Sequence, residues 1–210
     1  MRFPKGVRVG AGCVIERGAF IGEPTGRDIP DRRLVIGPGA TIRSGSVLYL
    51  GTTIGRGFES GHGTIVREEN TIGDDVQIWS HTTIDYGCTL GRKVHLHCNI
   101  YVAQYSILEE GVFMAPGVVL LNDPHPGCPF SRQCMRGPHI GKNAVIGGGC
   151  TILPMIRIGE GAIIGGGSVV TRDIPAGAVA YGTPARVHGK REDLECWTGH
   201  TKMAYPKGRK

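Results

Sequence analysis

From position 36 to position 120 every sixth residue is apolar, with one exception: Ile36, Ile42, Leu48, Ile54, Ser60, Val66, Ile72, Ile78, Ile84, Leu90, Leu96, Val102, Leu108, Met114 and Leu120. An α-helix repeats near 3.6 residues and an isolated strand at 2. A period of six fits neither. It calls for a chain that makes a short strand, a corner and another strand in strict repetition, which is a β-solenoid. The phase restarts twice, with Val9, Ile15 and Ile21 before it and Ile140, Ile146, Ile152, Ile158, Ile164 and Val170 after it. Four places beyond each apolar residue the side chain is usually smaller, as at Ala40, Ser46, Thr52, Thr64, Thr82, Cys88, Ser106 and Ala144. One large and one smaller inward side chain per flat side fill a narrow prism. Three hexads close a triangle, so residues 18 apart stack. Roughly eight coils, about 4.8 Å apart, make a prism of about 35–40 Å.

Composition is read through the repeat. The 35 glycines would suggest a disordered chain without it; with it, they belong to corners that need a residue without a Cβ. A chain of 210 residues supports one good core. No segment resembles a membrane span or a cleavable signal, so the expectation is a cytoplasmic protein without a membrane partner. The seven cysteines are odd in number; Cys13, Cys88 and Cys150 fall on small inward positions and read as core fillers in a reducing compartment. The net charge is +6, with basic residues spread through the chain and gathered in the tail at Lys202, Lys207, Arg209 and Lys210. That is either a solvated tail or an attraction for anionic ligands. A basic face with a stacking platform is missing, so nucleic acid is not an expected partner.

The 18-residue stride gathers chemistry on one vertical edge. His62, Ser80 and Cys98 stack, as do Gly63, His81 and Asn99, and Trp79 lies under His97. Imidazoles so placed act near neutral pH; a corner histidine satisfied by water is the other reading, favoured for His62, His95 and His97 but not for His81. Arg67, Glu68 and Glu69 follow on the next side, as an acceptor pocket or as a charged outer face. Residues 121–139 break the hexad with proline and polar residues and are expected to be an external loop. It holds Asn122, Asp123 and His125, and also Cys128 and Cys134, whose spacing matches no common zinc pattern. Beyond it lie Ile146-Gly147-Gly148-Gly149, Ile164-Gly165-Gly166-Gly167 and Tyr181-Gly182-Thr183-Pro184-Ala185-Arg186.

This ordered set, over about residues 7–187, resembles the hexapeptide-repeat acyltransferase superfamily of left-handed β-helix enzymes. The resemblance implies an all-β fold, a single-stranded left-handed parallel β-helix of about eight triangular coils with one extruded loop. Its domain spans residues 1–188, and residues 189–210 form a capping tail, with a short helix that buries Trp197. It implies a homotrimer with active sites between subunits and acetyl-CoA as co-substrate, with no metal. By the same resemblance His81 is the general base, Asn99 orients the acceptor, and Ser80 or a backbone N–H stabilises the oxyanion. His62, Glu68, His97, Asn122 and Asp123 are acceptor contacts. Gly148 and Gly166 line the pantetheine path, and Arg172 and Arg186 meet the phosphates.

The activity implied is N-acetylation of a nucleotide-linked amino sugar for polysaccharide synthesis, with sugar O-acetylation as the alternative. A γ-type carbonic anhydrase shares the fold and binds zinc through three histidines. His81, His95 and His97 raise that possibility, and the glycine-rich end argues against it. A non-catalytic trimeric scaffold is the third reading.

Overall fold

The computed structural model of the chain describes residues 3–205. Successive short strands visit three parallel sheets in rotation, with eight, ten and eight strands. The molecule is a left-handed parallel β-helix: the hexad implies the coil, and the family resemblance implies its hand. Its register is the 18-residue stride: Ile72 pairs with Leu90 on the first face, Ile78 with Leu96 on the second, and Ile84 with Val102 on the third. The inward residues form one continuous core, with Ile42, Leu48, Ile84, Leu96 and Leu108 wholly buried. The polar exception is accommodated locally. Ser60 Oγ accepts the Arg43 N–H at 3.0 Å and lies 3.1 Å from Ser46 Oγ. Phe58, wholly buried in a position that is elsewhere small, supplies the apolar volume on that side.

The three corners are tight turns with one residue of left-handed φ, usually glycine. The edge leaving the second face is called here the second edge, and the edge leaving the third face the third edge. The chain departs from the prism twice. Residues 24–33 leave after the strand Phe20–Glu23 and return at Leu34, which is why the hexad slips there. The second departure begins at Asn122 and is closed at its neck by Arg136 N–H to Asn122 O, 2.8 Å. This loop is not wholly irregular, since Ser131–Cys134 form one helical turn.

The end of the prism is covered by a strand pair that lies almost wholly before residue 189. Ala178–Gly182 adds in parallel to the second face, and Ala185–Lys190 returns antiparallel. Among the described residues one 3-10 turn follows, at Arg191–Asp193, and Trp197 is 100% exposed, so the expected burial of that indole does not occur. Lys207, Arg209 and Lys210 lie outside the described residues. Cys88 and Cys150 are buried core fillers, whereas Cys13 is only partly buried.

Candidate functional site

The left-handed corner positions of the second edge read, from the bottom, Gly18, Gly45, Gly63, His81, Asn99, Gly117, Gly149 and Gly167. Only His81 and Asn99 carry side chains there. His81 N–H donates to His62 O at 2.9 Å, Asn99 N–H to Ser80 O at 3.1 Å, and Gly167 N–H to Gly148 O at 2.8 Å. His62, Ser80, His81, His97, Asn99, Gly148 and Gly166 therefore do share one edge. The His81 ring rests over Gly63, where a Cβ would come 2.8 Å from Nδ1. Among the described residues it makes no hydrogen bond. Ser80 Oγ accepts the His62 N–H at 3.0 Å, and His62 Nδ1 is 2.9 Å from Ser44 Oγ.

His97 belongs to an aromatic stack. It lies parallel to His95 at 5.5 Å and to Trp79 at 6.1 Å, with Phe113 edge-on. The Trp79 indole N–H donates to His95 Nε2 at 2.7 Å, which assigns the proton of a neutral His95 to Nδ1. Burial, helped by the neighbouring His97, lowers the His95 pKa and keeps it neutral.

Higher on the edge, a Cβ at Gly148 would lie 3.1 Å from Pro116 O, and one at Gly166 3.2 Å from Gly148 O. The strip is smooth because side chains scarcely fit. Exposed Arg186 stands near its top, cross-strand from Tyr181. Arg172 follows Val170 on the third edge, apart from the strip.

The third edge has a different character. Glu68 is wholly buried beside Arg67, at 2.9 and 3.0 Å, and Arg27, at 3.3 Å. Burial pushes its carboxyl pKa up, but the Arg67 and other hydrogen bonds outweigh this and leave it lowered. Arg27, from the first departure of the chain, also binds Glu69 at 2.6 Å and covers the Tyr86 ring at 3.7 Å. Above, Asp85 lies 3.6 Å from Arg67 and accepts Tyr101 Oη–H at 2.7 Å and Gln104 Nε2–H at 2.5 Å. Gln104 Oε1 accepts Asn122 Nδ2–H at 2.6 Å. Glu68 and Asn122 are thus engaged in one polar ladder, away from His81.

Asn122 anchors the loop that carries Asp123 and His125. The Asp123 carboxylate accepts Ser131 Oγ–H at 2.5 Å and His125 N–H at 2.9 Å. These bonds, and the nearby His125 charge, lower its pKa and hold it ionised. The His125 ring is exposed. The sequence places it in the external loop two residues after Asp123, beside the acceptor contacts Asn122 and Asp123, and that position is the available signal. Among the described residues no group of three or more His, Cys, Asp or Glu is placed to hold a metal ion. A cavity of about 860 Å3 lies under the tail beside Glu160, Lys190 and Arg191, on neither of these edges. A smaller one, about 260 Å3, lies beside Trp79.

Residues 137–172 match the family described as bacterial transferase hexapeptide (six repeats). Nodulation protein L of Rhizobium meliloti (strain 1021) is 37% identical over 147 residues, covering 66% of this chain and 80% of that protein. Galactoside O-acetyltransferase of Lactococcus lactis subsp. lactis (strain IL1403) is 33% identical over 131 residues, 50% of this chain and 63% of that protein. Among solved structures, UDP-N-acetylglucosamine acyltransferase from Campylobacter jejuni shares the fold, with a TM-score of 0.52 at 17% identity, covering 87% of this chain and 75% of that one. The chain belongs to the hexapeptide-repeat transferase family, and it is an acyltransferase.

Proposed function

We propose that this protein transfers the acetyl group of acetyl-CoA to a hydroxyl of a sugar. The observation that carries the reading is the second edge: a side-chain-free strip at Gly148 and Gly166 runs down to the column occupied by Asn99 and His81. The strip suits a long, thin pantetheine arm, and Arg186 suits its phosphates. A hydroxyl acceptor, rather than the amine favoured by the sequence reading, is supported by the relative named as a galactoside O-acetyltransferase.

An imidazole takes the acceptor proton as the oxygen attacks the thioester carbonyl; the C–S bond breaks, and the proton returns to the departing thiolate. We assign the base to His125 rather than His81. A base works best when a third group orients it and stabilises its charged form. The ionised Asp123 carboxylate, held by the His125 main-chain N–H, places a negative charge near His125 that favours its protonated form, and among the described residues no carboxylate pairs with His81. His81, Asn99, His62 and His97 then face the acceptor.

The two edges are separated on one prism by the third face, whose outward row includes Val47, Ile65, Tyr101, Val119 and Val169. A homotrimer that covers this mostly apolar row brings the loop of one subunit to the second edge of its neighbour. The free cysteines fit a reducing cytoplasm.

The test is acetyl transfer from acetyl-CoA to a panel of sugars and amino sugars, read by mass spectrometry. His125→Ala is expected to lower kcat by about 10²–10⁴, and His81→Ala by roughly tenfold or less, chiefly through acceptor KM. The reverse ranking returns the base to His81. Products acetylated only at nitrogen replace the hydroxyl acceptor with an amine, and failure to bind coenzyme A removes the acetyl-CoA reading.

A further inference from the structure

Below His81 the second edge is hollow. The cavity of about 260 Å3 is lined chiefly by Arg43, Glu59, Gly61, His62, Gln77 and Trp79. All come from the coil of Trp79 or the two coils beneath it, and none from the coil above. Arg43, Gly61 and Trp79 hold the same corner position on three successive coils. Gly61 contributes no side chain, and a Cβ there would collide with the Ser80 amide. The gap from Arg43 to Trp79 is therefore two coil spacings, about 9.6 Å. That leaves one spacing on either side of a single inserted ring.

The walls are fixed before a ligand arrives. Trp79 is 42% exposed although its ring is stacked against His95 and His97 on the coil above, at 6.1 Å and 19°. Its N–H is committed to His95. The bond to His95 holds the indole in place where it lines the cavity. Below, the Arg43 guanidinium is bound to Glu16 at 2.8 Å, with Glu59 3.9 Å away, so its charge is answered and the slot is not an anion site. Along the rim stand the Glu59 carboxylate and the Gln77 amide, 3.3 Å apart, and the His62 ring.

We infer that this is a pyranose-binding slot, with the C–H face of a six-membered sugar ring against Trp79 and its hydroxyls on Glu59, Gln77 and His62. A hydroxyl both donates and accepts, so it is served by a carboxylate beside an amide. A phosphate is repelled by Glu16 and Glu59. The cavity is small against the roughly 300–1,000 Å3 of drug-sized sites, which suits one ring. Because Trp79, Ser80 and His81 are consecutive, a ring seated there points its substituents along the second edge toward the proposed acyl transfer. The inference deepens the sugar-acceptor reading and rests on it for its biological role.

In a Trp197→Phe background Trp79 is the sole tryptophan. Its fluorescence is titrated with methyl glycosides of glucose, galactose and N-acetylglucosamine, and with uridine and thymidine. A saturable change with at least one glycoside is expected, weakened about tenfold by Glu59→Ala. In turnover, Trp79→Ala is expected to raise acceptor KM about tenfold with coenzyme A affinity unchanged, and Trp79→Phe to recover most of it. The unchanged coenzyme A affinity, measured by calorimetry, shows that the variants fold. A response to nucleosides alone, no response to any glycoside, or an unaltered acceptor KM in Trp79→Ala overturns the slot. Glycoside binding without any acetyl transfer upholds the slot and sinks the transferase substrate reading instead; transfer with unaltered KM does the opposite.

Discussion

The second and third edges of the prism are built from the same 18-residue stride, and they use it in opposite ways. On the third edge each polar group answers another: Arg27 and Arg67 close on Glu68, Asp85 on Tyr101 and Gln104, and Gln104 on Asn122. On the second edge His81 and Asn99 stand exposed among glycines, with Trp79 braced from above and open below. Polar residues that satisfy one another in a low-dielectric setting make a rigid, committed structure. Polar residues left facing solvent on a rigid backbone remain available to a ligand. Charge in a pocket is thus a poorer guide to function here than the absence of a partner.

The third edge is where this contrast is most easily broken. Glu68→Gln leaves two arginines facing a buried neutral amide and is expected to cost about 2 kcal/mol of stability. That lies below the usual 3–5 for a severed buried pair, because both arginines keep about a third of their side chains exposed. The loss is read from urea midpoints at fixed m-value, while kcat/KM of the folded fraction stays near that of the parent. Activity lost at unchanged stability would make Glu68 an acceptor contact after all. The pH sign follows from its lowered pKa. The Glu68 contribution is complete above the ordinary value of 4.5 and fades as pH falls through the lower folded value. The parent is therefore expected to lose more stability than Glu68→Gln on acidification below about pH 4.5.

Most of the fold was legible because a β-helix states its geometry locally: the hexad gives the inward residue, and its triple gives the neighbour above. The stack of His62, Ser80 and Cys98, and that of Gly63, His81 and Asn99, follow from counting. What counting does not give is direction. Glu68 and His81 are both corner residues, yet one turns into the molecule and the other out of it. The reason lies in Arg27, which reaches Glu68 from a departure visible in the sequence only as a slip in phase. The tail misled for a related reason. Trp197 was expected to cover the prism end, but the strands Ala178–Gly182 and Ala185–Lys190 already pair there, leaving the indole nothing to bury against.

The glycine strip offers a finer test, since neighbouring glycines serve different ends. Gly166 has an ordinary φ and close neighbours, whereas Gly167 has φ +70° and nothing within 4 Å of a built Cβ. Gly166→Val places methyls on the strip and is expected to weaken coenzyme A binding about tenfold, or about 1.4 kcal/mol, with a smaller change in melting temperature. Gly167→Ala meets left-handed strain instead, about 1 kcal/mol, and leaves coenzyme A affinity alone. Calorimetry and thermal melts on the pair separate a ligand path from a turn requirement. Equal effects on coenzyme A would mean that the strip is only a row of corners.

Thiol chemistry sharpens the comparison at the smallest energetic cost, because each region carries its own cysteine. Cys88 lies against the third edge, its Sγ–H donating to Ala103 O at 3.2 Å, and burial pushes its pKa up to about 12. Cys98 is partly exposed on the second edge, one place before Asn99. Cys196 in the tail is drawn down to about 6 by hydrogen bonds from Thr198 and nearby backbone N–H groups, so at neutral pH it is largely thiolate. Iodoacetamide is therefore expected to label Cys196 first, Cys98 more slowly and Cys88 only on unfolding, as read by peptide mass spectrometry. Coenzyme A running down the second edge should slow Cys98 and leave Cys196 unchanged. Protection of neither residue would place the ligand elsewhere, and protection of both would mean that the tail folds over it.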